Sequence, residues 1–198
     1  DAFNVSAEGT FDNKNVGIGK TVTLASSYSG ADVGNYAITD QGTTTATITP
    51  APLTVTANDA AKTYGQTVTF TGAEFTASGL VGGENIQSVQ LASLGAGAMA
   101  GVAGSPYAIV ASDATGAGFL PANYGITYQN GHLTIHPALL NITAKDDTRA
   151  YSGVPYSGGN GVNYSGFVNN ENSAVLGGTL QYGGTSQGAT QAGTYGII

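Results

Sequence analysis

The sequence predicts an all-β protein made of tandem small β domains, each an Ig-like sandwich or a β-grasp-like fold, set as an elongated rod with little or no helix. Three observations carry this expectation. The chain repeats itself at an interval of 87 residues, and such an internal period marks an array of supersecondary units. Apolar and polar residues alternate along its candidate strands, the signature of a half-buried strand. Its composition, 31 Gly and 41% apolar residues with only 9% charged, suits short strands joined by many turns and is unlike a disordered chain, which pairs low hydrophobicity with high charge.

The period holds at several separate places. Leu53-Thr54-Val55-Thr56-Ala57-Asn58-Asp59 returns as Leu140-Asn141-Ile142-Thr143-Ala144-Lys145-Asp146. The same shift carries Tyr64 onto Tyr151 and, without a gap, the run from Gly79 to Asn85 onto the run from Gly166 to Asn172. Upstream, Asn35-Tyr36-Ala37-Ile38-Thr39 matches Asn123-Tyr124-Gly125-Ile126-Thr127 at a shift of 88, and Ile48-Thr49-Pro50 matches Ile135-His136-Pro137 at 87. Gly193-Thr194-Tyr195-Gly196-Ile197 repeats the region from Gly104 to Ile109. The expected division is therefore residues 1–50 as the C-terminal part of one repeat, 51–138 as a complete repeat, and 139–198 as the N-terminal part of a third. Partial repeats at both ends imply either a longer parent chain or a neighbouring subunit that supplies strands to open sheets, as in donor-strand exchange.

Taken in order, the alternation predicts strands at residues 21–24, 37–39, 45–49, 53–57, 68–70, 86–91, 107–110 and 140–144, with a short turn near 80–86. Residues 124–128 and 132–135 flank Gln129-Asn130-Gly131. That pattern reads as a β-hairpin, because Asn-Gly supplies the two positive φ angles of a type I′ turn. The joints carry Pro50 and Pro52, then Pro137, in place of a flexible Gly/Ser linker. Proline fixes φ and gives up a ladder donor, so these joints are expected to be stiff and to interrupt sheet pairing between repeats.

Charge and composition exclude several function classes. A net charge of −7 with four Lys and one Arg leaves no clustered cations for a nucleic-acid phosphate track, and no apolar run is long enough to span a bilayer. With no cysteine, stability must come from packing and ladder hydrogen bonds. His132 and His136, four apart on one strand, share a face about 13 Å apart, too far to hold one metal. Asp146 and Asp147, with Asp59 one period earlier, end a strand where aspartate commonly bonds turn backbone, and no loop has calcium ligands at alternate positions. The glycine-rich stretches at 95–97 and 158–161 lack the Lys-Ser/Thr ending of a phosphate loop. Glu74, Glu84 and Glu171 are the carboxylates available for a glycosidase-like acid/base pair, but Glu84 and Glu171 are repeat equivalents in different repeats, which points to local structure. The recurring pairs Tyr64/Tyr151, Tyr36/Tyr124 and Tyr107/Tyr195 are read the same way, as packing residues before ligand platforms. No catalytic, cofactor-binding or metal-binding residue is assigned.

Leu-Thr-Val-Thr-Ala-Asn-Asp at 53–59, Thr63-Tyr64-Gly65, Ser78-Gly79-Leu80 and the run from Asn123 to Gly131 with Leu133-Thr134-Ile135 resemble the MBG repeat of large bacterial adhesins. The run from Phe11 to Val22 and that from Ser29 to Tyr36 resemble the related YDG repeat. The resemblance implies a non-catalytic stalk or filament segment of a secreted, filamentous-haemagglutinin-like or two-partner-secreted protein at the bacterial cell surface or in a biofilm matrix. An adhesive module that binds mucin or exopolysaccharide is the alternative it implies. Expected partners are the neighbouring repeats of the same chain, polysaccharide, or other copies of the chain in a fibre. Nucleic acid and membrane insertion within this segment are not among them, and no cofactor is implied.

Overall fold

A computed structural model describes residues 3–198. In chain order its strands are β1 (Asn4–Phe11), β2 (Gly17–Ser29), β3 (Thr43–Ile48), β4 (Ala51–Ala57), β5 (Ala60–Thr63), β6 (Phe75–Ser78), β7 (Ser88–Ala92), β8 (Tyr107–Thr115), β9 (Tyr124–Gln129), β10 (Gly131–His136), β11 (Asn141–Ala144) and β12 (Val162–Ser165). Four single-turn 3-10 segments are the only helical elements among the described residues, so the protein is all-β as its composition implies. Two compact units divide the chain. One comprises Asp1–Asn58, Phe70–Ala92 and Val110–Gly131; the other comprises Asp59–Thr69, Ser93–Ile109 and His132–Ile198.

In the first unit, β1, β2 and β3 form an antiparallel meander. A second sheet has the order β6-β4-β9, with β6 antiparallel and β9 parallel to β4. The alternation along β4 is the reason for its position. Leu53, Val55 and Ala57 point one way and are 2%, 0% and 3% exposed, while Thr54 and Thr56 on the opposite face are only half-buried. Leu53 and Val55 join Ile86, Val89, Ala114, Phe119 and Tyr124 in one core. Fully burying a side chain of this size stabilises by about 1.5–3 kcal/mol, and β4 does so twice. Strand β7 pairs antiparallel with the later part of β8. In the second unit β5 and β10 pair in parallel, Leu133 and Ile135 on β10 are buried, and β11 pairs antiparallel with β12.

The hairpin expected around Gln129-Asn130-Gly131 does not form. Strand β9 pairs with β4 and strand β10 with β5, in different sheets, and neither Asn130 nor Gly131 has a positive φ. Glycine is needed there for space: a Cβ on Gly131 would lie 2.6 Å from the Ala57 carbonyl oxygen and 2.7 Å from that of Asn58. Residues 37–39 and 68–70 are not strands. The equivalent of 37–39 in the central repeat, β9, is held by a parallel ladder to β4, so its extended state depends on a distant partner rather than on its own alternation. Near 68–70 a single backbone bond, Val68 N–H to the Ala96 carbonyl at 2.9 Å, stands in for a ladder. Pro52 lies inside β4, opposite Gly125, instead of interrupting the ladder. The β6 ladder begins at Thr54, so Pro52 has a partner strand on one side only, where proline is tolerated.

The 87-residue period is reproduced in three dimensions. Thr54, Val55, Thr56 and Ala57 face Ser78, Ala77, Thr76 and Phe75; one period later Asn141, Ile142, Thr143 and Ala144 face Ser165, Tyr164, Asn163 and Val162. Gly79 (φ 108) follows β6 and Gly166 (φ 114) follows β12, each in a conformation that L side chains rarely adopt. A Cβ at either would run into the carbonyl oxygen of Pro52 or Leu139 respectively. Replacing Gly79 with alanine therefore combines left-handed strain with a backbone clash and is expected to cost about 2 kcal/mol or more. Urea unfolding checks this, and an unchanged midpoint would contradict the role assigned to Gly79.

Candidate functional site

Most of the residues singled out from the sequence serve their own neighbourhoods. His132 and His136 both lie on the exposed face of β10. The His132 backbone N–H donates to Asp59 Oδ1 at 2.7 Å, so Asp59 caps a neighbouring strand rather than its own turn. Asp147 Oδ1 accepts from the Thr148 N–H, and Oδ2 accepts from the Tyr156 hydroxyl at 2.8 Å, which pushes the Tyr156 pKa up. Glu74 accepts from the Thr71 hydroxyl and from the N–H groups of Thr71 and Gly72, and these bonds hold its carboxyl below the usual range, the Thr71 hydroxyl most of all. Among the described residues no three His, Asp or Glu side chains converge on a metal-sized point.

The two repeat-equivalent glutamates behave differently. Each sits at the end of a short loop that follows β6 or its counterpart β12, and the loop has the same turn in both: the Glu84 N–H donates to the Val81 carbonyl and the Glu171 N–H to that of Val168. The intervening positions are left-handed in each case, Gly82 and Gly83 in one repeat and Asn169 and Asn170 in the other. Asparagine is the residue other than glycine that best tolerates this conformation, so the Gly-Gly to Asn-Asn exchange keeps the loop shape.

Both loops reach the preceding repeat. In the first unit, Glu84 Oε1 lies 2.5 Å from Lys14 Nζ, and Oε2 accepts from the Tyr124 hydroxyl at 3.0 Å. The Tyr124 hydroxyl also accepts from the Val81 N–H at 3.2 Å, while its ring packs against Phe119 in the core. Beside the ion pair, Asn123 Oδ1 accepts from the Val16 N–H at 2.9 Å and Asn123 Nδ2 donates to Asn15 Oδ1 at 3.0 Å. In the second unit, Glu171 Oε1 accepts from the Tyr64 hydroxyl at 2.6 Å, and Asn169 Nδ2 donates to the Ala98 carbonyl at 3.1 Å. Val168 packs so closely on Gly65 that a Cβ there would stand 2.7 Å from the valine Cβ. An apolar seam of about 220 Å³ lined by Tyr64, Val102, Pro137, Leu140, Phe167 and Val168 continues this contact.

These clasps are where sequence reasoning fell short. Glu84 and Glu171 recur with the period, which reads as local structure, yet a joint between repeats recurs with the period too. Their partners differ, Lys14 in one and Tyr64 in the other; Tyr64 recurs as Tyr151, but the Lys14 joint uses no counterpart of it, so no one pair of recurring residues marks both contacts. Electrostatically, the Lys14 hydrogen bond holds the Glu84 carboxyl below its ordinary value, and Glu84 in turn raises the Lys14 ammonium. Glu171 raises the Tyr64 phenol, keeping it a donor. The arrangement offers no activated nucleophile; what it can do is fix one repeat against the next. A separate open cleft of about 790 Å³ in the third repeat is lined by Tyr151, Tyr156, Tyr195, Arg149 and Gln191 among others, with the Arg149 guanidinium 5.2 Å from the centre of the Tyr156 ring.

Compared with known families, residues 53–134 match the model of the MBG domain (YGX type), and residues 1–46 match that of the YDG domain. No curated protein and no solved structure matches the chain.

The direction of the Glu84 shift makes the first clasp pH-dependent. Its contribution is present above the ordinary glutamate range and is lost as pH falls through the depressed folded value; the raised Lys14 keeps it until pH passes the ordinary lysine range. Carboxyl NMR titration of Glu84 should give a midpoint below that of an ordinary glutamate, and Lys14→Met should move it upward. No change on that substitution would show that the ion pair is not formed in solution.

Proposed function

We propose that this chain, which carries a YDG domain followed by an MBG domain of the YGX type, is a non-catalytic stalk segment of a secreted bacterial adhesin or biofilm-matrix protein, whose work is to set reach and stiffness at the cell surface. The observation that carries the reading is the pair of clasps. One loop, equivalent in two successive repeats, reaches the repeat before it through a glutamate. In the first clasp the Lys14 side chain is 69% exposed and that of Glu84 7%, so solvent screens the pair from the lysine side and its contribution to stability is small; its use at a joint makes better sense as control of orientation. Glu74, Glu84 and Glu171, the carboxylates weighed for an acid/base pair, are engaged in a turn and in the two joints. Both matched families are of a kind found in extracellular adhesins, which agrees with an extracellular location.

A second reading, a module that binds mucin or exopolysaccharide, draws on the cleft of the third repeat, where exposed Tyr151 and the Arg149–Tyr156 stack present the aromatic faces that sugars pack on. A glycan array probed with the whole chain separates the two readings, since absence of binding at millimolar sugar removes the second.

The stalk reading is tested by small-angle scattering on the wild type and on a Glu84→Ala, Glu171→Ala double variant. The wild type should scatter as a particle of one shape. The double variant should keep its secondary structure by circular dichroism but scatter as a broader ensemble. Equal profiles would mean that the clasps do not set stiffness.

A further inference from the structure

The face on which the Glu171 loop docks is made by two separate segments of the central repeat, the turn that follows β5 and the loop that precedes β8. Tyr64 and Gly65 in the turn meet Glu171 and Val168, and in the loop the Ala98 carbonyl accepts from Asn169 Nδ2 at 3.1 Å. Neither segment is a strand. Two backbone bonds join them, Gly65 N–H to the Ala98 carbonyl at 3.3 Å and Val68 N–H to the Ala96 carbonyl at 2.9 Å.

Lys62 ties the same two segments together from inside. It lies on β5 opposite Ile135 of β10 and is 5% exposed. Its ammonium donates to the Gln66 carbonyl at 3.0 Å in the turn and, in the loop, to the Ala96 carbonyl at 3.4 Å and to the Gly97 carbonyl. An ammonium has three N–H donors and no acceptor, so three carbonyls satisfy it completely. Ala96 and Gly97 stand directly before Ala98, the acceptor that Asn169 uses. A cation recurs at this place: one period later Arg149 donates to the Val154 carbonyl at 2.6 Å and to the Pro155 carbonyl at 3.4 Å, in the turn that follows Tyr151.

Taking a cation out of water is costly, and an apolar side chain of similar volume fills such a place at no loss of stability or with a gain. An apolar side chain cannot, however, hold three carbonyls in fixed positions. We propose that Lys62 is a positioning residue for the second clasp: through the Gln66, Ala96 and Gly97 carbonyls it holds the Tyr64 turn and the Ala98 loop in the one arrangement that receives Glu171 and Asn169. None of its three bonds reaches the Glu171 loop, so it acts through the receiving face, and its contribution is to a single conformation of the joint and not to stability. The inference rests on the reading of the clasps as devices that fix one repeat against the next.

Double electron–electron resonance within the second unit tests it, with spin labels on cysteines introduced in the whole chain at two exposed sites, Thr134 in β10 and Asn163 in β12. The otherwise native chain should give one narrow distance distribution and Glu171→Ala a broad one; a broad distribution in the first or a narrow one in the second would overturn the clasp reading and this proposal with it. Lys62→Met, of similar length and without charge, should broaden the distribution as Glu171→Ala does, while the midpoint of urea unfolding stays level or rises. The Ala96 and Gly97 carbonyls keep a backbone donor each, the N–H groups of Val68 and Ala100, when the ammonium is removed. A narrow distribution in Lys62→Met beside a broad one in Glu171→Ala would overturn the role of Lys62 and leave the clasp standing. Broadening with a lowered midpoint, or failure of the variant to fold, would make Lys62 an ordinary core contact and overturn the proposal as well. In the native chain the Lys62 ammonium protons should exchange with water more slowly than those of Lys14, whose side chain is 69% exposed; equal rates would show that the three carbonyls do not hold it.

Discussion

Strand β4 lies between an antiparallel neighbour close in sequence and a parallel neighbour some seventy residues further on. Parallel strands cannot be joined by a tight turn and need a long crossover, so everything between β4 and β9 is in effect the connection that brings this pair together. Once paired, β4 and β9 set Leu53 and Val55 opposite Ile126 and Tyr128, and Ile86, Val89, Ala114 and Phe119 complete the core. At β11, which has only β12 beside it among the described residues, Ile142 in the place of Val55 is 52% exposed, while Leu140 and Ala144 are partly buried.

The loop that follows β6 and, one period later, β12 depends on this arrangement. Gly79 and Gly166 are pressed against the backbone at the start of β4 and just ahead of β11, so the chain leaves the sheet at one angle in both repeats and delivers a glutamate to the same place. What it meets there has diverged: a lysine that is 69% exposed in one joint and a tyrosine hydroxyl in the other. A carboxylate accepts from either, and charge-assisted hydrogen bonds of this kind are short and directional. The same acceptor thus meets two different donors in the two repeats.

Much of this was legible from the sequence. The period, the alternation in β4 and β11, and the absence of helix follow from local pattern, and family likeness was carried by short motifs in those strands. The strand partners were not legible, because pattern reports which face is buried and not which strand lies alongside. Asn130-Gly131 illustrates the point: its dipeptide suggests a hairpin, but the glycine answers a backbone approach from Ala57 and Asn58 that only the parallel pairing creates. Lys62 is a second case. It is 5% exposed, burial pushes its pKa down, and it donates to the carbonyls of Gln66, Ala96 and Gly97. Nothing in the alternation of β5 distinguishes it from a solvated lysine.

The claim that the glutamate loop fixes one repeat against the next is tested most directly by distance measurement inside the first unit. The native sequence has no cysteine, so spin labels on cysteines introduced at Ser27 in β2 and Thr76 in β6 are unique. Double electron–electron resonance should give one narrow distance distribution in the otherwise native chain and a broad one when Glu84 is replaced by alanine. A broad distribution with Glu84 in place, or a narrow one without it, would contradict the account.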